Sequence, residues 1–222
     1  MSFGKEKKKQ QMKSYKLLLL IIIVVLAGCT KVEKSYYENG NLKSEIHKKG
    51  DVLNGKAVWY FSNGTKQYEV NYRDNKIEGT TYRWFPNGRL QFVENYKDNH
   101  LDGISREYDV RGKLITEKTY RMDTLHGPYT MYYEDNKPKI QGRYKDGLFD
   151  GKWLYFDDAG SVVGVGKFKK GNGTQKTWYF NGKLKHVINY KNNLKDGKEI
   201  WYAADGSVQR IVEYEEGNIV NK

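Results

Sequence analysis

The sequence predicts an all-β chain, an extended twisted antiparallel β-meander built from about eight hairpin repeats of 24 residues. Three observations carry this. Glycines recur at 55, 79, 103, 127, 151, 173 and 197, at spacings of 24 except for one of 22; a fixed period of this size marks units that stack on their neighbours. After residue 30, β-branched and aromatic residues bounded by Gly, Asn and Asp recur, whereas helix formers at 3.6-residue spacing do not. Hydrophobic content of 38%, a mean hydropathy of -0.85 and 19 tyrosines suit half-buried sheet but not a thick two-layer core.

The first element is "MKSYKLLLLIIIVVLAGCT" at 12–30: a basic start, an apolar run from Leu17 to Leu26, then small residues before a cysteine. That is the outline of a secretion signal, with Met1 and Met12 both candidate starts. The run is short of the roughly 20 apolar residues that a spanning helix needs. Leu26, Ala27, Gly28 and Cys29 resemble the lipobox of bacterial lipoproteins, and Cys29 is the only cysteine. The resemblance implies a diacylglyceryl group on the Cys29 thiol and cleavage before it. Two or more acyl chains anchor stably where one binds only marginally. This divides the chain into a signal peptide (1–28), a lipidated Cys with a short tether (29–34) and a repeat domain (35–222). It also places the body in a bacterial envelope outside the cytoplasm, at the outer membrane rather than the inner. An incidental thiol is the plain alternative, disfavoured because a lone free thiol is a liability in an oxidising compartment.

Within each unit, counted from its opening glycine, an aromatic stands at offset five: Tyr36, Tyr60, Trp84, Tyr108, Tyr132, Phe156, Trp178 and Tyr202. The first of these belongs to a degenerate unit starting at Lys31. Offset nine is Gly, or Asn136 once, which suits a three-residue hairpin loop ending in a left-handed residue; Pro86 falls where a type I turn favours proline. Offset eleven is mostly aliphatic, as in Leu90 and Leu184. Offset seventeen is aromatic from Tyr72 to Tyr214, with Lys48 the exception. All three offsets are odd, so strand alternation puts them on one face if the turns preserve parity. The other face then carries Arg89, Gln91, Asn95 and Lys97. Each unit returns through a second turn such as "KDNHLDG". About 14 to 16 strands at roughly 4.8 Å each give a sheet about 65 to 75 Å long, which should twist. The short unit holds "SVVGVGKFKKGNG" (161–173), where Gly164 and Gly166 predict a kink; a close approach by a ligand is the alternative.

The pattern of Gly, aromatic at five, Gly at nine, aromatic at seventeen and then Asp-Gly, as in "GKWLYFDDAG" after "YKDGLFD", resembles the MORN-repeat variant of the bacterial YwqK-type antitoxin family over residues 31–222. The resemblance implies a non-enzymatic β-repeat protein that binds another protein, a toxin in that family. A structural envelope scaffold and a cell-wall or glycan-binding module are the alternatives.

The remaining chemistry is sparse. Residues 1–28 hold six Lys and one Glu, so +5 of the net +12 lies there. In the rest, Lys and Arg read as alternating with Asp and Glu, without the clustered phosphate contacts that nucleic-acid binding needs. His47, His100, His126 and His186 occupy different offsets and predict no metal site. Asp146, Asp150, Asp157 and Asp158 recur in turns, where Asp caps and bends backbone. No nucleophile elbow, P-loop or zinc-protease string occurs, so no catalytic residue, cofactor or metal is expected. The candidate contact residues are the aromatic stripe Tyr60, Trp84, Tyr108, Tyr132, Phe156 and Trp178, led by Trp84, Tyr108 and Tyr132. Its plain reading is cross-strand packing at roughly 0.2 to 1 kcal/mol per pair.

Overall fold

The computed structural model describes residues 30–221. The whole of this stretch is one open antiparallel sheet in which each full-length strand pairs with the next, from Thr30–Tyr36 to Asn218–Asn221, with no helix. Three of its twenty segments are two-residue pieces, Lys76–Ile77, His100–Leu101 and Leu194–Lys195, each set off by a single residue from Gly79–Trp84, Gly103–Tyr108 and Gly197–Tyr202. The expected tether at 30–34 is itself sheet: Thr30–Tyr36 pairs with Leu42–Lys49, and Glu33 bonds Lys48 Nζ at 2.8 Å. Leu26, Ala27, Gly28 and Cys29 lie outside the described residues, as does the signal segment.

The first turn is built as its residues dictate. In "WFPNGRL", Phe85 N donates to Arg89 O (2.8 Å) and Gly88 N to Phe85 O (2.9 Å), and Gly88 takes φ 81°, a conformation cheap only for glycine. Asparagine there does two jobs. Asn87 Oδ1 accepts from Arg89 N within its own turn, while its Nδ2 donates to Val110 O of the next unit (2.9 Å). Asn63 repeats this onto Pro86 O and Asn39 onto Ser62 O. Tyr37, Tyr133 and Tyr179 each donate a hydroxyl to the carbonyl of the next unit's offset-five aromatic, at 2.6 to 2.8 Å.

The second turns form a parallel ladder on the opposite edge. Asp98 and Asn99 both have positive φ (50° and 73°), the signature of a tight two-residue hairpin. Asn99 N donates to Ile77 O of the preceding unit, and Asn99 Oδ1 accepts from Ile77 N (2.7 Å). Both turn edges are therefore stitched unit to unit through backbone groups that a lone hairpin would leave to water.

Two bulges per unit set the faces, and one of them overturns the expected stripe. In every unit the register shifts one residue before the offset-five aromatic, as between Arg83↔Phe92 and Trp84↔Leu90. The extra residue, here Gln91, reverses parity on the return strand. Offsets five and eleven share a face as expected, but offset seventeen lies on the other. Asn95 and Lys97, expected opposite Trp84, are on its face. We call the face of Tyr72, Tyr96, Tyr144 and Tyr190 face A and that of Tyr60, Trp84 and Trp178 face B.

The other bulge sits at the opening glycine and explains the one short unit. Gly103 has φ 118°, and a Cβ there would meet Asn95 Cβ at 3.1 Å. Where the spacing drops to 22, the strands Val162–Lys169 and Asn172–Trp178 pair without any shift, and Gly173 is not left-handed. The two missing residues are the bulge.

Candidate functional site

Face A is the packing face. Its centre is the rung joining offset two of one strand to offset fifteen of the next: Ala57↔Val70, Thr81↔Glu94, Ser105↔Lys118, Tyr129↔Gly142, Trp153↔Gly166, Gln175↔Ile188 and Glu199↔Val212. Ala57, Val70, Thr81, Ser105, Trp153, Ile188, Glu199 and Val212 are all buried. Trp153 is the hub of an aromatic cluster, with ring centroids 4.8 Å from Phe149, 5.2 Å from Tyr144 and 5.6 Å from Tyr129. Phe149 also meets Tyr190, two units away, at 6.0 Å, so the sheet coils sharply here. Gly142 is a clearance for this indole, whose ring a Cβ there would overlap, and Gly166 is a clearance for the ring of Phe168. A Cβ on Gly164 would crowd Thr177 Cγ2 at 2.9 Å. The space at Gly164 and Gly166 is filled by the chain's own side chains, which decides against a ligand there.

Burial leaves chemical traces on face A. It pushes the phenols of Tyr96 and Tyr144 up to about 12 and that of Tyr155 higher still. Trp153 Nε1 is the one buried side-chain donor without a partner among the described residues. Glu199 accepts from Lys195 Nζ (2.8 Å) and lies 2.9 Å from His186 Nε2. Burial would raise its carboxyl, but Lys195, Tyr214 and His186 together hold it below the usual range. Burial lowers the His186 imidazole, which stacks on Trp201 at 4.7 Å, despite Glu199. Glu199 is thus held by one ion pair, to Lys195, and by the His186 ring.

The histidines follow the register. His100 Nδ1 meets Asp123 Oδ2 at 2.6 Å and His126 Nδ1 meets Asp146 Oδ1 at 3.2 Å, both bracing second turns of successive units. His47 and His186 lie half-buried in the strands Leu42–Lys49 and Leu184–Lys191. No group of three or more His, Cys, Asp or Glu converges for a metal among the described residues.

Face B carries the candidate stripe. Tyr60, Trp84, Tyr108, Tyr132, Phe156 and Trp178 are all half-buried. They line up at one edge of the sheet through the bulged register rather than in spite of it. Trp84 stacks on Tyr82 at 5.7 Å and receives Lys66 Nζ at 5.4 Å over its ring. Glu69, also on this face, is clamped by Lys56 and Lys66, each at 2.6 Å; burial would raise its carboxyl and the two ammonium groups more than offset that. No helix or second sheet covers either face among the described residues.

A single-layer sheet of stacked hairpins, stitched at both edges and packed on one face, defines a repeat protein. The sequence signature of the family described as "MORN repeat variant" matches residues 30–47, 53–74, 77–98, 125–146, 172–192 and 195–216, more than half of the chain, and the protein belongs to that family. The signature passes over 99–124 and 147–171, which nonetheless hold the same strand pattern; the second stretch contains Trp153 and the two missing residues. No curated protein matches. Among solved structures, "Crystal Structure of TcdB2-TccC3" is similar at 12% identity over 86% of this chain and 14% of the other, with a TM-score of 0.19. "Crystal Structure of TcdB2-TccC3-Cdc42" is similar at 12% identity over 82% and 13%, with a TM-score of 0.17. The chain thus spans about a seventh of the length of those proteins, and superpositions this loose carry no functional weight.

Proposed function

We propose that this protein is a non-enzymatic, membrane-tethered binding module that grips another protein across face B. It serves as an antitoxin or immunity protein by occluding its partner's active surface. The observation that carries the reading is the half-buried aromatic stripe on a face with no second layer. Contiguous apolar surface left open in this way marks partner sites, and Trp and Tyr are the side chains that most often supply interface energy. The buried carboxylate of face A, Glu199, is engaged by Lys195 and His186. Lipidation at Cys29 would hold the sheet at the envelope by the edge that begins at Thr30, where it could intercept an exported toxin.

The test is affinity capture of the lipidated chain from its native envelope, beside a Cys29→Ser form and a Trp84→Ala/Tyr108→Ala form. A stoichiometric small protein that is toxic when expressed alone, and that is lost from the double variant, is the expected result. Recovery of envelope components only, unaffected by the double variant, would overturn the reading in favour of a scaffold.

A further inference from the structure

The charge of the sheet is not spread as the sequence suggested. Residues 151–198 carry ten Lys (152, 167, 169, 170, 176, 183, 185, 191, 195 and 198) against Asp157, Asp158 and Asp196. That excess of seven equals the whole net charge of residues 29–222; residues 29–150 are near balance, and 199–222 hold five acidic residues against two basic ones. The alternation of opposite charges expected for the sheet therefore fails in this stretch. Neighbouring strands interleave these lysines with neutral residues along the chain, and only the pairing register gathers them.

That register puts most of them on face B in a definite pattern. One row crosses the strands as Lys152↔Lys167↔Thr174↔Asn189, and Asn189 Nδ2 bonds the carbonyl of Lys198. The row beside it runs Leu154↔Val165↔Lys176↔Val187↔Ile200. Lys152, Lys167, Lys176 and Lys198 are exposed, and none has a carboxylate within ion-pairing distance among the described residues, although Lys198 stands opposite Glu213 in register; Lys56 and Lys66 farther along face B, and Lys195 on face A, are paired. Lys152 and Lys167 stand directly opposite each other, an arrangement that costs sheet stability. A depression of about 510 Å³ opens between the rows, lined by Val165, Lys167, Gly173, Thr174, Lys176 and Trp178. It lies on the strand pair that lacks the opening bulge.

Resting on the binding role proposed above, we infer that this part of face B docks an acidic, amphipathic segment of a partner protein. Its carboxylates would lie over Lys152, Lys167, Lys176 and Lys198, and an apolar side chain would enter the depression against Val165 and Trp178. Two features favour a protein over a phosphate polymer. The stretch contains no arginine, the residue that grips phosphate with a planar fork, and ammonium groups act as point charges for which carboxylates suffice. The cationic row also lies beside an aliphatic row, which a strand alternating acidic and apolar residues matches and a polyphosphate backbone does not.

The test uses the full chain in detergent and a synthetic peptide of alternating Glu and Leu, followed by fluorescence anisotropy. Binding is expected, weakening as salt rises because exposed charges are screened, and falling at least ~10-fold in Lys167→Glu/Lys176→Glu, while Lys43→Glu leaves it unchanged. A Lys167→Gln/Lys176→Gln form should lose less. Absence of peptide binding would overturn the inference. So would Lys167/Lys176-dependent binding of inorganic polyphosphate or of vesicles containing anionic phospholipid without binding of the peptide. Capture of a toxin that depends on Trp84 and Tyr108 but not on Lys167 and Lys176 would leave the proposed function standing and remove this site.

Discussion

The rungs at Thr81↔Glu94 and Ser105↔Lys118 differ from those at Tyr129↔Gly142 and Trp153↔Gly166 in where they put their bulk. In the first region a small hydroxyl side chain is fully buried beneath a long chain from the facing strand. In the second a large ring lies across a glycine. The ring over Gly142 is that of Trp153, from the next rung, and the ring over Gly166 is that of Phe168, so neighbouring rungs share their volume. Drift at one position is tolerated when a neighbour on the same face drifts the other way. Interiors are close-packed, and an uncompensated ring or methyl is felt directly.

The sharpest way to break this comparison is Trp153→Ala, which empties the hub of the aromatic cluster. It should cost about 3–5 kcal/mol in urea unfolding, far more than Thr81→Ala or Ser105→Ala in the first region. Next, Gly142→Ala should cost about 1–3 kcal/mol by overpacking. In the Trp153→Ala background the same change should be neutral or stabilising, because the indole that forbids a Cβ is gone. Additive effects in that double-mutant cycle would show that neighbouring rungs do not share volume.

Titration sharpens the comparison further. Burial raises the phenols of Tyr96 and Tyr144 to about 12, so their neutral forms stabilise the fold below the ordinary tyrosine value near 10. That stability is lost as pH climbs through about 12. Phenolate absorbance should therefore rise in two stages, the second coinciding with unfolding. At the acid end the folded-state values of His186, Glu69 and Glu199 are all lowered. Stability is then full above about pH 6.5 and declines as pH falls, first through His186 and, below about 4.3, through the two carboxylates. His186→Gln should flatten the difference in Tm between pH 7 and pH 5. The smallest effect is at the turn ladder, where Asn63→Ala removes an exposed bond to the next unit and should cost about 0.5–1 kcal/mol.

Much of this was legible in the sequence. The 24-residue period, the turn chemistry at Asn-Gly and Asp-Asn, and the left-handed glycines follow from backbone rules that a single sequence displays. The face of Tyr72 to Tyr214 did not follow, because the bulge that flips it is made by residues such as Gln91 that look like any strand residue. Gly164 and Gly166 stood out, but the side chains that take up the space there, Thr177 and Phe168, are brought to them only by the fold. The lysines of 151–198 stand in plain view as a composition. Their meeting on one face needs both the register and the missing bulge, which only pairing reveals.

The central claim is that face A carries the stability and face B the binding. Lys167→Glu/Lys176→Glu tests it most directly when the urea midpoint and acidic-peptide affinity are measured on one sample. The account predicts an unchanged or slightly raised midpoint, since Lys167→Glu relieves the repulsion with Lys152, together with at least ~10-fold weaker binding. A lowered midpoint with affinity intact would contradict it.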